Sequence, residues 1–190
     1  KKPMLPELLK ELNKIEGLGW IRVMYAYPTQ MKDDLLKTIN DCKKVVKYVD
    51  IPLQHSHPEM LKLMSRPAFD YRPMIENIRK LVPNVSIRTA FVVGYPNETE
   101  EHFEHLYNFV KDMKFDKMGV FCYSREKGTP SYSMKPQVPK KIAKQRWKKL
   151  MELQQQISLE RNQKLVGKIL PCIIECYSDE GEVIARTQYD

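Results

Sequence analysis

The chain has 190 residues, 42% of them apolar and 29% charged, with a formal net charge of +8. This suffices for one ordinary domain with a real core and part of a second, and it excludes a disordered chain. No apolar run approaches the roughly 18–20 residues that cross a bilayer, and Lys1-Lys2-Pro3 leads into an amphipathic stretch rather than a signal sequence, so no membrane partner and a cytoplasmic location are expected.

Leu5, Leu8, Leu9, Leu12 and Ile15 recur at helical spacing and predict a helix over 4–16, ended by Gly17 and Gly19. Trp20–Ala26 reads as a strand, stopped by Tyr27-Pro28. Thr29 is the expected cap of a helix running to about Lys43, with Leu35, Leu36 and Ile39 inward. Tyr48–Leu53 reads as the second strand, and Pro58–Met64 as a short helix with Pro58 in its first turn. Asp70 caps a predicted helix to Leu81, Pro83-Asn84 turns the chain, and Val85–Val93 is the third strand. Thr99 opens a helix to Met113 whose core face is Phe103, Leu106, Phe109 and Val110, and Lys117–Cys122 is the fourth strand.

Strands thus alternate with helices at a spacing of roughly 30–35 residues, the mark of βαβ units in a parallel sheet. The chain opens on a helix of the kind that follows a strand, so earlier barrel strands are expected upstream in a parent protein. The strand at Trp20–Ala26 is then an open edge, and the chain alone is expected to be marginally stable.

Beyond Pro136 and Pro139, residues 140–165 form a long amphipathic helix with Ala143, Trp147, Leu150, Leu153 and Ile157 on its core face. Gly167 ends it. Ile169–Cys176 and Glu182–Thr187 read as a hairpin about the turn Ser178–Gly181, the beginning of a small β-domain. Residues 1–134 carry a net +4, residues 135–168 carry +8, and residues 169–190 carry −4. The basic excess therefore sits on the connecting helix, either as a solvated face or as a surface for nucleic acid or ribosome.

Cys42, Cys122, Cys172 and Cys176 are scattered; the Cys172-x3-Cys176 pair supplies two thiols, too few for a closed metal site. No Cys triplet and no His/Cys cluster stands out. The polar residues that end the strands carry the chemical interest, because ligands bind at the C-terminal ends of barrel strands. Gln54 can bond a ribose or amide, and His55 can hold a proton, or both can satisfy backbone groups at the rim. Gly94 permits close approach to the backbone, Asn97 tolerates positive φ, and Glu98 can accept hydrogen bonds or cap the following helix. Arg88, within a strand, requires an anionic partner, either a ligand carboxylate or an internal salt bridge. Phe121 and Tyr123 can stack on a purine, or Phe121 can pack in the core. Gln54 and Glu98 are expected on one rim.

Six segments in this order resemble the radical S-adenosylmethionine methylthiotransferases. They are Ile51-Pro-Leu-Gln-His55, Met64-Ser-Arg66, Arg88-Thr89, Val93-Gly-Tyr-Pro-Asn-Glu-Thr99, Tyr123-Ser-x-Glu-x-Gly-Thr129 and Leu153-Gln-Gln-x-Ile-Ser158. The match covers almost the whole chain. The Pro-Leu-Gln-His ending and Arg88-Thr89 resemble the branch that acts on a ribosomal protein; the tRNA branch more often reads Pro-x-Gln-Ser-Gly. Asn97 departs from the glycine usual in the family's Gly-Phe-Pro-Gly-Glu turn.

The resemblance implies an α/β fold: the C-terminal portion of a radical SAM partial (β/α) TIM-like barrel (1–135), a linker helix (136–166) and the truncated start of a TRAM β-domain (167–190). It implies methylthiolation at the β-carbon of an aspartate in protein twelve of the small ribosomal subunit (uS12). Reductive cleavage of S-adenosylmethionine would give a deoxyadenosyl radical that abstracts hydrogen, and sulfur associated with a second cluster would then be transferred with a methyl group. The implied cofactors are S-adenosylmethionine and two [4Fe–4S] clusters, whose cysteines, including a Cys-x3-Cys-x2-Cys, are expected upstream; the fragment alone should be inactive. The implied cofactor-binding residues are Gln54, Arg88, Gly94, Glu98, Phe121 and Tyr123, with His55 and Arg66 toward substrate and no metal ligand in this chain. The implied partners are uS12 or the ribosome, RNA through the basic helix and TRAM segment, and an electron donor. A tRNA-adenosine methylthiotransferase, or a non-catalytic RNA- or ribosome-binding protein, are the alternatives.

Overall fold

The computed structural model describes residues 3–189. Helix α1 (Leu5–Lys14) leads into strand β1 (Ile21–Val23), helix α2 (Asp33–Asp41) and strand β2 (Val45–Asp50). Helices α3 (Pro58–Leu63) and α4 (Arg72–Leu81) follow, then strand β3 (Ser86–Val93), helix α5 (Glu100–Met113) and strand β4 (Lys117–Cys122). A single turn, α6 (Pro130–Ser133), precedes the long helix α7 (Lys140–Gln163) and the hairpin β5 (Cys172–Tyr177) and β6 (Val183–Thr187). The first four strands form one parallel sheet in the order β1-β2-β3-β4, and β5 and β6 pair antiparallel.

Period-two alternation in β3 sends Ile87, Thr89, Phe91 and Val93 to a buried face, with Arg88, Ala90 and Val92 on the other. The buried face meets Leu36 and Ile39 of α2, Ile75 and Ile78 of α4, and Leu106, Phe109 and Val110 of α5. Phe91, Phe109 and Phe115 meet edge-on or tilted at its centre, with centroids 5.8–6.3 Å apart. The opposite face carries Arg88, Ala90, Val92, Gly119 and Phe121, and Phe121 is 59% exposed. Helix α7 packs on β4 and α5 and buries Ala143, Leu150, Leu153 and Ile157.

Several expected boundaries shift. Thr29 caps no helix: Pro28–Gln30 form a 3-10 turn, and α2 starts only after Lys32. Strand β1 is shorter than 20–26, because Tyr25 adopts φ 55° and breaks the ladder. Strand β2 begins and ends earlier than 48–53, since Pro52 has no N–H to offer. Asp70 does accept the Arg72 N–H at 3.1 Å, one residue outside the formal cap. Trp147 is 41% exposed rather than core, its Nε1 donating to the Val120 carbonyl at 2.9 Å along the β4 edge. Leu8 is likewise 53% exposed. The hairpin residues of β5 are exposed throughout. Thr99 caps α5 with a full capping box, as its sequence demands.

Candidate functional site

Three contacts place the loops after the four strands on one rim. His55 Nε2, after β2, lies 3.3 Å from Glu98 Oε1, after β3. Tyr95, after β3, meets Tyr123, after β4, edge-on with centroids 5.1 Å apart. Arg66, after α3, lies over the ring of Tyr27, after β1, at 5.7 Å. The expected common rim for Gln54 and Glu98 is therefore present.

Gln54 sits at φ 71° and is pinned through its backbone: its N–H donates to Ala90 and its carbonyl accepts from Val92, at 2.8 and 2.9 Å. Its side chain is half-buried at the mouth of the sheet. Arg88 finds its anionic partner inside the chain. Its Nη1 is 2.8 Å from Asp50 Oδ2, and Asp50 is almost fully buried while the Arg88 side chain stays 37% exposed. Burial opposes the guanidinium charge, but Asp50 outweighs it and raises the Arg88 pKa.

Gly94 and Glu98, expected to bind cofactor, both engage other parts of the protein. Gly94 sits at φ 76°, and a Cβ there would lie 2.4 Å from the Cβ of Ala143 in α7. Its Cα packs against that helix. The Glu98 carboxylate has no exposed surface. Its Oε2 accepts from Gly94 N at 2.5 Å and Arg146 Nη1 at 2.7 Å, and its Oε1 meets His55. Asn97, at φ 67°, donates its N–H to Pro136 at 3.0 Å, so asparagine meets the conformational demand of this turn.

His55, expected toward substrate, lies in the interior. It is fully buried, its Nδ1 accepting the His57 N–H at 2.9 Å. Burial lowers its pKa and the Glu98 bond and charge oppose that. Phe121 does not pack in the core. Tyr123 is partly buried, with its hydroxyl unpaired among the described residues. A cleft of about 660 Å³ runs between Phe121 and Cys122 on one side and Lys144, Trp147 and Lys148 on the other.

The structure assembles two features that one-dimensional spacing concealed. Arg146 is buried and tied to Glu98 and Glu100. The four histidines, expected to form no cluster, come together where α3 and α5 begin: the His57 centroid lies 4.3 Å from that of His102 and 5.1 Å from that of His105. The pairs His55-x-His57 and His102-x2-His105 were the available signal. The thiols do not converge: Cys42 is buried, Cys122, Cys172 and Cys176 are exposed on separate surfaces or the hairpin, and no three-cysteine ligand set occurs among the described residues.

The family model of the Radical SAM superfamily matches residues 2–110. The chain is 50% identical over 98% of its length to the ribosomal protein uS12 methylthiotransferase RimO of Carboxydothermus hydrogenoformans, of which it covers 43%. It is 51% identical over its whole length to the enzyme of the same name from Caldanaerobacter subterraneus subsp. tengcongensis, covering 44%. That from Geobacter sulfurreducens is 42% identical over 97% of the chain, with 42% covered. The chain thus spans less than half the length of these curated relatives. Among solved structures, coproporphyrinogen III oxidase (HemN) of Escherichia coli, a radical SAM enzyme, matches with a TM-score of 0.56 at 18% identity, over 83% of this chain and 36% of that one. The radical SAM methyltransferase TsrM of Kitasatospora setae matches at 0.52 and 15%, over 64% and 25%. These two likenesses concern the fold alone.

Proposed function

Because this chain belongs to the radical SAM superfamily, we propose that it is the later barrel portion of an enzyme that methylthiolates ribosomal protein uS12. The observation that carries this reading is identity of about half over essentially the entire chain to enzymes of that name. In this reading the exposed hairpin of β5 and β6 begins a TRAM domain, and the molecule works in the cytoplasm on the ribosome or the free protein.

S-adenosylmethionine, when bound, would supply the methyl group from one molecule and the hydrogen-abstracting radical from another. This chain's scattered cysteines do not make a cluster site, and the ligands of both [4Fe–4S] clusters and the electron donor's docking site belong to the rest of the enzyme. What the chain contributes is a shaped wall. Exposed Phe121 offers a ring face to the adenine and Gln54 a carboxamide at the same rim, while Tyr123 packs against Tyr95 behind them. Arg88, fixed by Asp50 and still over a third exposed, can take a second carboxylate, that of the cofactor or of the substrate aspartate. Glu98 and His55 hold the rim that positions these groups. Arg66 stands at its outer edge, over Tyr27, where substrate approaches. Lys140, Lys141, Lys144 and Lys148 are exposed on α7, which packs along β4, and give ribosomal RNA a run of phosphate contacts there.

The test uses the full-length enzyme with uS12 and with tRNA as substrates. Methylthiolation of the uS12 aspartate is expected; modification of tRNA adenosine with no action on uS12 would reject the reading. Replacing Arg88 with Gln then separates its roles. Lost peptide modification with intact cofactor cleavage assigns Arg88 to substrate, and loss of both assigns it to the cofactor.

A further inference from the structure

His55, His57, His102 and His105 are all the histidines this sequence contains, and the fold brings the last three to one partly exposed point. His57 is the N-cap of α3, and His102 is the third residue of α5. Glu59, in the first turn of α3, places Oε2 3.2 Å from His102 Nε2. One ligand atom from each of His57, Glu59 and His102 lies within 4.8 Å of the others. We propose that His57, Glu59 and His102 bind one divalent transition-metal ion of the zinc, cobalt or nickel class, with the His105 ring packed edge-on against His57. The inference does not rest on the methylthiotransferase reading.

The donor set is two imidazoles and a carboxylate, the kind that zinc takes. Metal–ligand bonds of about 2.0–2.1 Å put tetrahedral ligands roughly 3.3–3.4 Å apart. The Glu59–His102 pair already stands near that separation. Glu59 is 71% exposed along its side chain and can turn toward an ion without disturbing the core. His105 is oriented from behind, its Nδ1 2.9 Å from Ser56 Oγ, which leaves Nε2 uncommitted.

Two terms oppose the ion and limit its affinity. Nδ1 of His57 accepts the Glu59 N–H at 3.3 Å, and Nδ1 of His102 accepts the Thr99 N–H at 3.2 Å. These bonds put each ring's proton on Nε2. Ligation through Nε2 moves that proton to Nδ1 of the same ring and gives up two long, weak caps. The positive ends of α3 and α5 also repel a cation, an effect that Glu59, Glu100 and Glu101 in their first turns offset. The resulting site would clip α3 to α5 beside the rim, with less affinity than a closed structural zinc centre.

Cobalt titration of the full chain, followed by visible absorption and zinc competition, tests this. One equivalent is expected to bind with d–d bands and without thiolate charge transfer, and zinc should raise Tm. His57→Asn and His102→Gln keep a cap acceptor at each helix while removing the imidazole. Each is expected to weaken cobalt binding at least about tenfold and to abolish the zinc shift in Tm. Cys172→Ser/Cys176→Ser should leave binding unchanged. No stoichiometric binding, thiolate bands, or binding by either histidine variant as tight as by the unaltered chain would overturn the proposal.

Discussion

Arg146, in the long helix, and Glu98, in the turn after the third strand, meet at 2.7 Å with side chains 7% and 0% exposed. The same guanidinium also donates to the Glu98 carbonyl at 3.0 Å and to Glu100 at 3.1 Å. One buried fork thus ties the long helix that follows the parallel sheet to the turn after its third strand. Removing one member strands the other's charge in the interior. Arg146→Met should therefore cost about 3–5 kcal/mol. The double variant Arg146→Met/Glu98→Gln should recover part of that loss. Urea unfolding of the four proteins in a double-mutant cycle measures the coupling, and a cycle showing none would contradict the assignment.

Gly94 is required by two independent constraints, its φ of 76° and the 2.4 Å approach to Ala143. Gly94→Ala should cost about 1–3 kcal/mol from overpacking, with roughly 1 more from backbone strain. Ala143→Gly in that background removes the steric part and leaves the strain. Thermal unfolding should then show partial rescue; full rescue would mean the backbone there is unstrained.

Asp116 anchors the start of β3 by accepting the Ile87 N–H at 2.9 Å, and it pairs with Arg161. Burial raises its pKa, and the Ile87 bond together with Arg161 and Arg79 only partly counteract it. A group with a raised folded pKa contributes stability below its unfolded value, near 3.8, and loses it as pH rises through the folded value. Asp116→Asn keeps an acceptor for Ile87 and removes this titration. The stability advantage of the native chain over the variant should therefore shrink as pH rises through the carboxylate range. An advantage that grows instead would show that the Arg161 pair outweighs burial.

Phe121 tests the open face of the sheet. With 59% of its surface exposed it contributes little to the core. Phe121→Ala in the full-length enzyme should change unfolding free energy by less than about 0.5 kcal/mol. It should weaken S-adenosylmethionine binding roughly three- to tenfold through lost stacking. Unchanged cofactor affinity by equilibrium dialysis would remove Phe121 from the cavity wall.

The alternation of strands and helices, the parallel sheet and the Thr99 cap were legible in the chain, because periodicity and capping act over a few residues. Leu36, Ile39, Leu106 and Phe109 could be placed inward by spacing alone. The strand-end loops were legible as the mouth, since polar, Gly and Pro residues there interrupt buried apolar runs. Which of those residues the protein engages internally was decided only by tertiary packing. Glu98 and Gly94 read as ligand contacts until α7, some 50 residues on, brought Arg146 and Ala143 against them. Arg88 needed an anion by the cost of burying a charge, but only the register of β2 against β3 identified Asp50. The histidines show the same limit. Two pairs lie more than 40 residues apart, and the packing of α5 beside α3 joins them because local sequence carries no information about which helix ends meet.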